Sequence, residues 1–154
     1  RGRISPPAGK DRGGRRTGRG DGAMGMKSGG DGMAKPTYQV TNARTGTIFA
    51  TAVRQAEGAW GNFRGLMLKK SMPEGHGLLF RPARGIHTHF MRFPIDLVFL
   101  DGEDRVSKIR EAMPPWRFDF TSAAGVIEMN PGAARAAGVQ PGDRLRFDPV
   151  DSTP

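Results

Sequence analysis

The chain has 154 residues and no cysteine. That length suits one domain with a real core, and the lack of cysteine excludes disulfides, thiolate metal sites and thiol nucleophiles. The net charge of +9 looks like a polyanion-binding signature until it is divided: residues 1–35 hold nine Lys/Arg against three Asp, and residues 36–154 hold fifteen Lys/Arg against twelve Asp/Glu, so the excess belongs mostly to the N-terminal stretch.

That stretch, RGRISPPAGKDRGGRRTGRGDGAMGMKSGGDGMAK, carries eleven of the 23 glycines, and its large apolar side chains are one Ile and three Met. It cannot offset its ordering entropy and is expected to be a disordered Arg/Gly-rich extension over 1–35. An Arg-Gly segment of this kind gives salt-dependent nucleic-acid affinity that is indifferent to base sequence. Met24, Met26 and Met33 are candidate starts of a shorter chain, in which case most of the extension is flexible lead. No apolar run approaches the ~20 residues that cross a bilayer, and no apolar segment follows the basic start as in a secretory signal. The expectation is a cytoplasmic protein without a membrane partner.

From Thr37 onward the pattern is short β-like runs between turn residues. TYQVTN (37–42) and GTIFATAV (46–53) flank Ala43-Arg44-Thr45-Gly46, which predicts a hairpin with Gly46 at positive φ. In the second run Ile48, Ala50 and Ala52 fall on one face, and Phe49, Thr51 and Val53 on the other. Residues 59–72 (AWGNFRGLMLKKSM) abandon the period of two. Trp60, Phe63 and Met67 recur at helical spacing there, which predicts a short amphipathic helix weakened by Gly61 and Gly65. GLLFRP (77–82) and IHTHFMRF (86–93) read as strands, and Pro94 marks a boundary. IDLVFL (95–100), apolar on both faces, reads as a central strand.

Asp101-Gly102 opens a turn before an exposed strand, RVSKIRE, and MPPW (113–116) forces an extended loop. RFDF (117–120) and GVIEM (125–129) add strands, with Phe118 and Phe120 as alternate core residues. Asn130 and Pro131 read as the N-cap and first position of a helix of about two turns that Gly138 stops. Gln140-Pro141-Gly142-Asp143 reads as a type II turn before a last strand, RLRF (144–147). The sum is a mainly β (α+β) fold, a compact antiparallel barrel or sandwich of short strands with two small helices. It forms a single domain over 36–149, with a flexible end at 150–154.

Residues 85–104, GIHTHFMRFPIDLVFLDGED, concentrate the chemistry. On a strand His87 and His89 project to one side. They would hold a metal ion if His76 or Asp96 supplied a third ligand, the set of a metal-assisted hydrolase. The simpler reading leaves both on a half-exposed strand face. Asp96 shares its face with Val98 and Leu100, and a carboxylate among apolar groups must find a partner or shift its pKa. Either it anchors backbone N–H groups near Pro94 or pairs with Arg64 or Arg92, or it lines a small pocket for binding or acid/base use. Lys69 and Lys70, with Arg64, Arg81 and Arg84, form a basic cluster that is a solvated face or an anion site. Trp116, Phe118 and Phe120 allow an aromatic platform as the alternative to core packing. No Gly-x-Ser-x-Gly elbow, His-Glu-x-x-His helix or nucleotide fingerprint is present.

Four ordered segments carry a family resemblance: RGLMLKKSMPEGHGLLFRP (64–82), IHTHFMRFPIDLVFLD (86–101), MPPWR (113–117) and GVIEMNPGAARAAGVQPGDRLRF (125–147). Over Trp60 to Phe147 the chain resembles the DUF192 family of small bacterial and archaeal domains, which has no assigned biochemical activity. The resemblance matches Gly65, Leu66, Met67, Phe80, Met91, Pro94, Asp96, Gly142 and Asp143 to the family's characteristic positions, and His87 to the histidine of one branch. His89 stands where an aromatic residue is usual, and Asn62 where an arginine is common. The resemblance implies a compact β-rich fold. The expectation is a non-enzymatic domain that binds a small ligand or a protein partner without a cofactor, with Arg64, Met67, His87, Arg92 and Asp96 lining the site. The alternatives are the hydrolase with His87, His89 and either His76 or Asp96, and a nucleic-acid-associated protein acting through the N-terminal extension.

Overall fold

The computed structural model describes residues 36–56, 71–89 and 91–150. Contacts divide the chain into Arg1–Gly32 and Met33–Pro154, and every described residue belongs to the second unit. The expected N-terminal extension and nearly all of the expected helix over 59–72 lie outside the described residues.

The elements are β1 (Thr37–Asn42), β2 (Ile48–Ala56), β3 (His76–Phe80), β4 (Ala83–His87), β5 (Ile95–Leu100), β6 (Val106–Met113), β7 (Phe118–Ala123), β8 (Gly125–Met129), a helix α1 (Ala133–Ala136) and β9 (Leu145–Val150). Seven strands form one sheet in the order β6-β5-β8-β3-β2-β1-β9, and β4 and β7 form a second. The hairpin of β1 and β2 turns at Gly46 with φ 72°, as the sequence predicts. Pairing is antiparallel except between β2 and β3, which are parallel. Parallel neighbours need a long crossover, and the chain from 57 to 75 supplies one. The expected antiparallel barrel or sandwich with two small helices is therefore corrected to a mixed sheet beside a small second one, with one helix among the described residues. The edge strands β6 and β9 of the mixed sheet touch at one corner, through an Arg105–Arg144 bridge, without closing a barrel.

Side chains of β5 alternate between the two faces of the large sheet, and both faces are covered. Val98 and Leu100 join Phe49, Ile127, Met129, Leu145 and Ala134 of α1 in one core. Ile95, Leu97 and Phe99 join Val126, Met113 and Ile86 of β4 in the other, under the small sheet. All six residues of β5 are buried, and each of its five apolar side chains contributes about 1.5–3 kcal/mol by leaving water.

Four further expectations change. The strand expected over 86–93 ends at His87, and His89 lies in a turn. The helix after Asn130 has four residues rather than two turns. Asn130 does not cap it: its side chain bonds the Met72 backbone on both sides, Nδ2 donating to Met72 O at 2.7 Å and Oδ1 accepting from Met72 N at 3.0 Å. Phe118 and Phe120 are 54% and 86% exposed, and the residue buried between them is Asp119. β9 runs to Val150, which pairs with Thr37, and residues 151–154 lie outside the described residues.

Candidate functional site

GVIEM places Glu128 fourth of the five residues of β8, between Leu97 of β5 and Leu78 of β3. Cross-strand partners share a face, so Glu128 points with Leu97 toward the small sheet. The residue is 3% exposed. No described residue donates a hydrogen bond to its carboxyl group, and burial raises its pKa to about 8. Unpaired buried carboxylates are costly enough to neutralise instead of ionising, so near pH 7 this group is chiefly the neutral acid, able to donate one hydrogen bond and accept others.

The carboxyl borders a cavity of about 220 Å³ between the large sheet and β4. Its apolar walls are Ala56, Phe80, Pro82, Ala83 and Ile86, Glu128 and Arg81 are the polar residues on its inner side, and Arg84, Gly85 and His87 of β4 also border it. Arg81 does not neutralise Glu128. Its Nη2 donates to Asp104 Oδ1 at 2.6 Å, and its guanidinium lies 4.7 Å from the Phe147 ring centre. His87 is itself partly buried, and burial together with the nearby His89 lowers its pKa. A second depression of about 700 Å³ lies between β2 and α1, but no buried charged side chain lines it.

Asp96 has the opposite environment. It points to the other face of the sheet, Oδ1 accepting from Ala112 N at 2.9 Å and Oδ2 from Ala134 N at 3.2 Å. The N-cap residue of α1, Gly132, has no side chain to cap the helix, and Asp96 serves in its place from 38 positions away. It also fixes Ala112, which sits at φ 47°. Both carboxylate oxygens face the backbone, which is the anchoring role among the two read from sequence.

Of the expected site residues, Arg64 and Met67 lie outside the described residues. His87 lines the cavity; Arg92 is exposed and does not, and Asp96 does not. The rings of His87 and His89 lie 5.4 Å apart between centroids. No group of three His, Asp or Glu side chains among the described residues forms a metal-holding set, so neither His76 nor Asp96 joins that pair. Thr88, buried between the histidines, ties the Pro-Pro loop to the end of β4: its Oγ1 donates to Pro114 O at 2.7 Å and accepts from Arg117 N at 3.0 Å. Glu128 was the residue missed in sequence, although a lone acid inside an apolar run is the signal that singled out Asp96.

A mainly β domain with a desolvated acid in a cavity between two sheets is the class these features define. The chain belongs to the DUF192 family, whose model, described as "Uncharacterized ACR", matches residues 40–147. It is similar to the UPF0127 protein TK1120 of Thermococcus kodakarensis, 31% identical over 120 residues that span 73% of this chain and 74% of that protein. It is also similar to the UPF0127 protein of Thermococcus gammatolerans, 33% identical over 71% of this chain and 74% of that one. Among solved structures it resembles a protein of Sinorhizobium meliloti 1021 described as a "putative transcription regulator", with TM-score 0.61 and 27% identity over 74% of this chain and 94% of that one. No described helix is long and apolar enough to cross a membrane.

Proposed function

We propose that this DUF192 domain is a non-enzymatic module that holds a small ligand in the Glu128 cavity. The ligand carries an apolar body, for the walls formed by Phe80, Pro82, Ala83 and Ile86, and a polar group that accepts the acid's O–H and donates to its carbonyl oxygen, such as an amide or a heterocyclic base. The observation that carries the reading is the Glu128 carboxyl, buried and without a hydrogen-bond donor from the described residues. A buried polar group left unsatisfied costs about 1–3 kcal/mol, and a ligand that satisfies it recovers that cost as binding. An apolar pocket with a few convergent polar groups and a perturbed pKa is the usual form of a small-molecule site.

The test is thermal melting of the full chain against a panel of small amines, amides and heterocyclic bases. A ligand at 100 times its Kd adds about 2.7 kcal/mol, or roughly 10 °C in Tm. That shift is expected to disappear in Glu128→Ala. A ligand shift that survives Glu128→Ala unchanged would place the site elsewhere and end this reading.

A further inference from the structure

The small sheet turns one face toward the large sheet and the other outward. Along β7, Asp119 is buried and Thr121 and Ala123 are half-buried, whereas Phe118, Phe120 and Ser122 are exposed. This register is held firmly. Lys108 Nζ donates to both oxygens of Asp119, at 2.9 and 3.2 Å, and Thr121 donates to it through its backbone N–H and its hydroxyl. A slip by one residue would expose that network and bury the rings, so their outward position follows from the satisfied carboxylate beneath. Across the ladder, Arg84 stands opposite Ser122 and His87 opposite Phe118, which puts both on the outer face. Gly85, at φ 88° in the bulge between Arg84 and Ile86, offers no side chain beside Phe120.

The result is a run of rings. Phe118 and Phe120 are nearly parallel, 13° apart in plane with centroids separated by 5.7 Å. His89 lies 4.4 Å from Phe118 and 5.5 Å from Trp116, which is itself 54% exposed. The strand residues on this face include no acid and no aliphatic side chain. Arg84 is exposed and takes part in none of the ion pairs among the described residues.

We propose that the outer face of the β4–β7 sheet binds single-stranded nucleic acid, with Phe118 and Phe120 taking unstacked bases and Arg84 the phosphates. Exposed flat rings beside the guanidinium of Arg84 match the two parts of such a strand, and base–aromatic stacking tolerates any sequence because every base has a π-face. A duplex offers no free base faces, and an acidic peptide would use the charges but leave the rings in water.

The test is fluorescence anisotropy of a labelled oligothymidylate binding to the full chain over a range of salt concentrations. Phe118→Ala and Phe120→Ala are each expected to weaken binding about tenfold without altering its salt dependence. Phe120→Trp is expected to retain binding. Arg84→Ala is expected to lower the slope of log affinity against log salt by about one. The same sequence as duplex is expected to bind less well. These ring positions are exposed, and an unchanged melt confirms that each variant folds. The proposal is overturned if the phenylalanine variants bind like the parent chain, which would leave all affinity with the N-terminal basic residues. It is equally overturned if polyglutamate competes as well as the oligonucleotide, which would mark a surface for an acidic protein, or if no binding is seen.

Discussion

Glu128 and Asp96 lie on neighbouring strands, in apolar runs of similar appearance, yet point to opposite faces and meet opposite conditions. Asp96 holds two backbone N–H groups. Asp96→Ala leaves the buried Ala134 N and the partly buried Ala112 N without their acceptor and is expected to cost about 3 kcal/mol in urea unfolding. Glu128 holds none, and its pKa stands at about 8 against 4.5 for an ordinary glutamate. The folded state therefore keeps a proton that the unfolded state releases, so stability declines as pH rises from about 4.5 to 8. Glu128→Gln removes that decline and is expected to be the more stable form at pH 8 by ~4 kcal/mol, with little difference at pH 4, as denaturant titrations at the two pH values would show. An identical pH dependence in parent and variant would contradict the buried-acid assignment. The sequence made Asp96 conspicuous, but which acid receives backbone donors depends on α1 and β6, which no local pattern specifies.

At the scale of elements, the runs whose environment is local were legible. Alternation and turn residues gave the β1–β2 hairpin, and β5 and β8 matched their apolar runs in full. The Gln140–Asp143 turn was read correctly too, with Gly142 at φ 94° and Asp143 N bonding Gln140 O at 3.1 Å. What failed was set at a distance. The parallel β2–β3 pairing depends on a crossover, the single turn of α1 depends on Asp96, and the outward Phe118 and Phe120 depend on Lys108 waiting for Asp119. Gly77 shows how closely β3 and β8 approach: a Cβ there would lie 3.0 Å from Glu128 O and 3.3 Å from Met129 Cγ. Gly77→Ala must push β8 aside, and it is expected to cost about 1–3 kcal/mol and to weaken any ligand bound at Glu128. Melting with and without that ligand measures both effects.

For the whole molecule, the titrating groups pull in two directions. Asp119, held by Thr121 and Lys108, and Asp143, held by Arg44, Gln140 N and Asn42, are both lowered from 3.8 to about 2. They contribute stability that is present above pH 3.8 and lost as pH falls toward 2. With Glu128 acting above 4.5, the domain is expected to be most stable near pH 4–5, and denaturation midpoints at pH 2.5 and pH 8 should both fall below that at pH 5. A maximum near neutrality would contradict this balance. The corner where β6 meets β9 has a different bearing, on behaviour in a crowded solution. Backbone bonds from Val106 N to Asp143 O, Leu145 N to Asp104 O and Gly142 N to Val106 O occupy the groups that an open end would display. The rest of β9 carries Arg146, Asp148 and Pro149, two charges and a residue with no N–H. A second copy offering a strand there meets a defended margin, so β9 is a poor template for edge-to-edge growth.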